Sequence, residues 1–232
     1  MIRLVCLAAG LVALGGCGLI DSPISDIDLD LPEREVTIDT ADWELTDEGH
    51  VPSVGCSDTP NVCTNRVEMW CGADEICAAR CGGETCEVNV SVALYHTVDL
   101  TQENSDLERI PGVSLVSVTV DRVTFSVREN TLNREMPPLT VAVAPQGVMS
   151  IHDGEAEEVG TIPAIPAGTT VAEAELKLSA NGQTVLAERM RDYKTPFNLL
   201  VGASIALRAG EEVPSGRLVA VVKVEAHAST GL

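Results

Sequence analysis

The chain has 232 residues, 45% apolar but only 3% aromatic, and 35 acidic side chains against 15 lysines and arginines give it a formal charge of −20. An acidic surface of that strength repels phosphate backbones, which excludes nucleic acid as a partner. With so few rings the core has to be built from Val, Leu, Ile and Ala, and the length suits one decorated domain or two small ones.

Met1-Ile2-Arg3 supplies one positive charge, residues 4–14 are apolar apart from Gly10, and Leu14-Gly15-Gly16-Cys17 follows. A charged start, an apolar centre and small residues before a cut form the pattern of an export signal, and the apolar run is too short for the about 20 residues of a membrane span. Leu14-Gly15-Gly16-Cys17 resembles the lipobox of bacterial lipoproteins, whose cysteine is thioether-linked to a diacylglycerol and whose signal is cleaved just before it. The resemblance implies a signal peptide over 1–16 and a mature chain that starts at a lipidated Cys17 and is held at the membrane by its acyl chains. Gly18 stands where an Asp retains enteric members of the family in the inner membrane. That implies the outer membrane, on its periplasmic or surface face. Loss of Arg3 makes the mature charge −21.

Residues 18–48 hold eleven acidic side chains and one basic one, Arg34. Self-repulsion extends such a segment, and 17–23 reads as a lipidated tether. From 24 to 49 the pattern changes. Ser25-Asp26-Ile27-Asp28-Leu29-Asp30-Leu31 alternates strictly, and Val36 and Ile38 repeat the alternation after Pro32, which predicts two edge strands. Asp26, Asp28 and Asp30 mimic the opening of a calcium-binding EF-hand loop, but Leu31 and Thr37 stand where it needs Gly and Glu.

Cys56, Cys63, Cys71, Cys77, Cys81 and Cys86 fall within 31 residues. An even number of cysteines in an exported chain predicts three disulfides, and fifteen connectivities are open. Residues 50–87 therefore read as a small crosslinked subdomain with too few apolar residues to hold itself together otherwise. Ala73 to Cys81, ended by Gly82-Gly83, reads as a short helix that sets Cys77 and Cys81 on one face, each bonding outward rather than to the other. Zinc sites use reduced thiols in Cys-x2–4-Cys pairs, which only Cys77-x3-Cys81 and Cys81-x4-Cys86 approach, in a compartment expected to be oxidising, and no Cys-x-x-Cys redox motif occurs.

Residues 88–232 read as a β domain. Val88, Val90, Val92, Leu94, His96, Val98 and Leu100 share one phase with Cys86. Val116, Val118 and Val120 slip phase to Val123, Phe125 and Val127, which requires a bulge or a turn at Asp121-Arg122. Leu139–Val143, Ala172–Leu178, Leu199–Leu207 and Leu218–Val224 are further strands, and Pro163–Gly168 is a rigid connection. Residues 183–193 are open: Asn181-Gly182 signals a hairpin, whereas Leu186, Met190 and Tyr193 recur at helical spacing. Short, regularly spaced strands predict a mainly β, antiparallel two-sheet sandwich with one or two short helices. By that pattern the region resembles the sheet domains of uncharacterised β-sandwich envelope lipoproteins, and also the desiccation-related sandwiches of the late-embryogenesis type.

Motifs for catalysis are missing: Gly202-Ala203-Ser204-Ile205-Ala206 lacks the closing glycine of a nucleophile elbow, and Lys194-Thr195 lacks the glycines of a phosphate loop. One constellation gathers imidazole and carboxylate donors in a turn: His152, Asp153 and Glu155, with Glu157 and Glu158, where calcium or zinc would find ligands. Acids in an Asp-Gly turn also serve solubility alone. The expectation is a lipid-anchored envelope protein that acts without a cofactor as a binding, assembly or structural module, with the membrane and an envelope protein as partners. The alternative is an envelope metal-dependent hydrolase built on the 152–158 loop.

Overall fold

The computed structural model describes residues 26–43, 45, 49–51, 53–56, 60–71, 77–82, 84–104, 107 and 115–230. The residues expected to form a signal peptide (1–16), the lipidated Cys17 and the tether to 23 lie outside the described residues. The alternating segments become strands, and each buries one phase. Leu218, Ala220, Val222, Val224, Ala226 and Ala228 of β11 (Arg217–Thr230) are all at most 2% exposed, and Val88 and Val90 of β4 (Thr85–Val98) are fully buried. Each fully buried Val or Leu contributes about 1.5–3 kcal/mol, and branched side chains fit the pleat.

Two antiparallel sheets face one another. The five-stranded sheet runs β8 (Val171–Glu175), β5 (Leu115–Asn130), β11, and then β1 (Asp26–Asp28) and β2 (Leu31–Asp39) in tandem along the outer edge of β11. The six-stranded sheet runs β3 (Cys77–Gly82), β4, β10 (Phe197–Arg208), β6 (Leu139–Pro145), β7 (Glu157–Ile162), β9 (Lys177–Leu178). One apolar core is shared by both sheets and by α1 (Pro60–Trp70), whose Cys63, Val67 and Trp70 recur at helical spacing and are buried. A single turn, α2 (Leu100–Glu103), is capped by the Asp99 carboxylate, which accepts from the amides of Thr101 and Gln102 at 3.1 and 3.3 Å. Its Glu103 pairs with Arg34 of β2 and so ties the end of β4 to the opposite sheet.

The phase slip in β5 is a bulge and not a turn. Val120 pairs with Ala226 and Arg122 with Glu225, which leaves Asp121 as the extra residue in an uninterrupted sixteen-residue strand. The open segment is a helix, α3 (Gly182–Arg191), with Leu186 and Met190 fully buried and Tyr193 packed just beyond. Gly182 does not turn a hairpin. It lets the helix start lie against β7: a Cβ there would stand 1.8 Å from the Val159 carbonyl oxygen.

Three expectations are corrected. Cys77–Gly82 is strand β3, not the end of a helix. Its backbone pairs with β4 from Cys77↔Val90 to Gly82↔Thr85, and a short helix packed on little else is marginal in water. The alternation from Ala172 to Leu178 is not one strand of one sheet. At Leu176 the chain leaves β5 and reaches β7 as β9, so the segment closes one corner of the sandwich. His96 shares the phase of Val92 and Val98 but is exposed, beside the Arg34–Glu103 pair at the sandwich rim.

Candidate functional site

The six cysteines pair as Cys56–Cys81, Cys63–Cys86 and Cys71–Cys77, with Cα separations of 5.8, 5.5 and 6.2 Å. Two of the bonds staple α1 to the six-stranded sheet, Cys63 to β4 and Cys71 just past the helix end to β3. The third ties the loop around Cys56 to β3. That loop is already stitched to the sheet, because the Cys56 amide donates to the Glu84 carbonyl and the Cys86 amide donates to Val54. Cys77 and Cys81 do bond outward and not to one another, but for a different reason than a shared helix face. On β3 they stand four residues apart on one side of a strand, opposite Val90 and Cys86. The Sγ atoms of Cys56, Cys63 and Cys81 all lie within 4.8 Å of one another, the closest grouping of three metal-ligand side chains among the described residues. In the disulfide form they offer no thiolate to a metal.

His152, Asp153 and Glu155 are exposed at the tip of the 146–156 loop. The Asp153 carboxylate accepts from the Glu155 amide at 2.9 Å, the Ser150 hydroxyl accepts from the His152 amide, and Glu157 pairs with Arg189 of α3. These bonds shape the turn, and the three donors do not gather as a ligand set. The body of the loop has a clear packing role. Val148 and Ile151 lie on Ala142, Ala144 and Leu200, a small second core on the outer face of the six-stranded sheet. Gly202 makes room for this, since a Cβ there would meet Ile151 Cδ1 at 3.0 Å and the Val92 carbonyl oxygen at 2.5 Å. Asn198, fully buried, holds the loop down: its amide donates to the Gln146 and Val148 carbonyls at 2.8 Å each, and its Oδ1 accepts from the Thr97 hydroxyl at 2.8 Å. Asn130 does the same for the Pro163–Gly168 connection, donating to Pro166 and Thr169.

The outer face of the five-stranded sheet carries paired charges. Glu225 accepts from Arg122 at 2.9–3.1 Å and from Lys223 at 2.6 Å, which holds its carboxyl at about 2. The Asp121 carboxylate, turned out by the bulge, stands 2.9 Å from His227 Nδ1 and raises the imidazole pKa, with Asp26 and Asp28 adding to the field. Burial, and then the Arg34 charge, lower that of His96.

Three open grooves, of about 340, 450 and 580 Å³, lie between β5 and α3, between α3 and the β6–β10 end, and between the ends of β2 and β11. The first is crossed by Gln183, whose Nε2 donates to the Val120 carbonyl at 2.5 Å, so the helix covers the edge of β5 that β8 leaves unpaired. His152, Asp153 and Glu155 line none of the three, and of that constellation only Glu157 borders one, the second. No helix among the described residues is long and apolar enough to cross a membrane.

No protein-family model matches the chain, and no curated protein does. A solved structure titled Desmodium yellow mottle tymovirus aligns over 100% of this chain and 98% of its own at 10% identity, with a TM-score of 0.25, too low to support an argument about fold or function.

Proposed function

We propose that the protein is a lipid-anchored component of a bacterial cell envelope that acts as a non-enzymatic binding, assembly or structural module. The observation that carries this reading is the Leu14-Gly15-Gly16-Cys17 motif behind an apolar export signal. The three disulfides support it, because such bonds persist in oxidising compartments outside the cytosol. The non-enzymatic part rests on the candidate donors: His152, Asp153 and Glu155 serve a surface turn over a packed loop instead of converging in a cleft.

On this reading the chain works from the outer membrane, on either its periplasmic or its surface face, and presents the sandwich to an envelope protein partner. Its high negative charge keeps the body away from anionic lipid headgroups while acyl chains hold the amino terminus. The test is the Cys17→Ser variant expressed beside the parent chain. The parent is expected to incorporate labelled palmitate and sediment with membranes. The variant is expected to lose both properties and to accumulate as precursor. A variant that keeps label and membrane attachment refutes the anchor.

A further inference from the structure

We propose that Cys56, Cys63, Cys81 and Cys86 form a thiol-exchange cluster with a second accessible pairing, Cys56–Cys63 with Cys81–Cys86, and that exposed Cys81 is where an outside thiol enters it. Cys81 and Cys86 face each other directly across the β3–β4 ladder yet are not bonded to each other. Residues directly opposite in an antiparallel pair have Cα atoms about 4.5–5.5 Å apart, inside the span a disulfide bridges. On the other side of the cluster, Cys56 Sγ and Cys63 Sγ lie within 4.8 Å of one another. The Cα spacing of the ladder thus admits a Cys81–Cys86 bond, and the sulfurs of Cys56 and Cys63 stand close enough to pair after side-chain rotation. Only Cys81 of the four is exposed, while Cys63 and Cys86 are each 1% exposed.

The rearrangement needs a thiolate as catalyst, a small thiol or an exported dithiol oxidoreductase, and consumes none. The thiolate attacks Cys81 Sγ, the Cys56–Cys81 bond breaks, and its electron pair leaves on Cys56. The Cys56 thiolate attacks Cys63, and the pair of the Cys63–Cys86 bond leaves on Cys86. The Cys86 thiolate then attacks Cys81 across the ladder and expels the outside thiol. Three S–S bonds form, three break, and nothing is oxidised or reduced. The mechanical consequence falls on α1. In the present pairing it is bonded to β4 through Cys63 and to β3 through Cys71. In the alternative, Cys71–Cys77 is its one covalent tie to the sheet, and the helix is free to pivot about its C-terminal end.

The test uses the oxidised full chain, incubated without oxygen with substoichiometric reduced glutathione, then alkylated and digested without reduction. Asp58, Arg66, Arg80 and Glu84 provide cleavage points that separate all four cysteines, so the linked peptides read out by mass spectrometry are unambiguous. The expected result is that Cys56–Cys63 and Cys81–Cys86 appear together in equal amounts, at about 1–10% of the linked peptides as suits a minor state, with Cys71–Cys77 intact. Original pairs giving way only to free thiols overturns the proposal. So does new linkage that draws in Cys71 or Cys77, the mark of general unfolding. In Cys56→Ser, which leaves Cys81 unpaired, alkylation is expected to divide between Cys81 and Cys63. Label on Cys81 alone overturns it.

Discussion

Asn198 shows how one polar side chain can organise a surface. Removing its amide leaves two carbonyls and a hydroxyl without a partner under the 146–156 loop. A buried group so orphaned costs about 1–3 kcal/mol each, less what water recovers. Asn198→Ala is therefore expected to lower stability by roughly 3 kcal/mol. Hydrogen exchange should show the loop amides losing protection before the strands do, and urea unfolding gives the magnitude. The charged pairs of β11 act differently, through pH. Glu225 is held at about 2 against an ordinary 4.5, so its contribution to stability is complete above 4.5 and fades as pH falls from there toward 2. His227 is raised above its ordinary 6.5, so its contribution is complete below 6.5 and is lost as pH rises through the raised value. His96 opposes it: folding disfavours its charged form, which subtracts stability as pH drops below 6.5. In an NMR titration, Arg122→Gln should move Glu225 up toward 4.5, and Asp121→Asn should bring His227 down toward 6.5. Unmoved values would mean the pairs do not persist in solution.

At the scale of elements, Gly182 decides whether α3 can dock. Replacing glycine by alanine inside a helix normally stabilises it by about 0.5–1 kcal/mol. Here the new Cβ would lie 1.8 Å from the Val159 carbonyl oxygen, and backbone on both sides has to separate. Gly182→Ala is expected to destabilise by about 1–3 kcal/mol, the opposite sign, as overpacking does. A higher melting temperature for the variant would mean that α3 does not sit against β7. The helix also covers the free edge of β5, with Gln183 bonded to Val120, a usual way of keeping an unpaired edge from recruiting other chains.

For the whole molecule, β11 is the strand that joins the first described strands to the rest of their sheet. β5 holds one edge along its length, and β1 and β2 hold the other, from Asp26↔Ser229 to Asp39↔Arg217. The acidic segment over residues 26–39 is thus part of the fold. A chain beginning at residue 40 would expose that edge of β11, a long apolar strand with unpaired backbone. It is expected to self-associate in sedimentation velocity experiments under conditions where the longer chain stays monodisperse. A monodisperse truncation would show the first two strands to be dispensable.

Much of this fold was legible in the order of residues. Strand alternation is a local property, because neighbouring side chains on a pleated strand point to opposite faces whatever the strand pairs with. The edge strands of 24–49, the core strands after Cys86, the bulge or turn near Asp121, the crosslinked character of the cysteine segment and the expectation of export all come from such short-range patterns. What the cysteines bond to is not local. Cys81 faces Cys86 yet bonds Cys56, and Cys77 bonds Cys71 from a strand that reads as a helix. Which sulfurs meet is decided by the pairing of β3 with β4 together with the docking of α1 and the Cys56 loop against them. The same holds for the sheet change at Leu176, for Gly182 as a point of contact and not a turn, and for the His152 turn, whose neighbours Val148 and Ile151 pack against Leu200 of the distant strand β10 as well as against adjacent β6. Each depends on which distant surface a segment packs against. Burial energy is a property of the assembled pair of surfaces, so no window of sequence carries it.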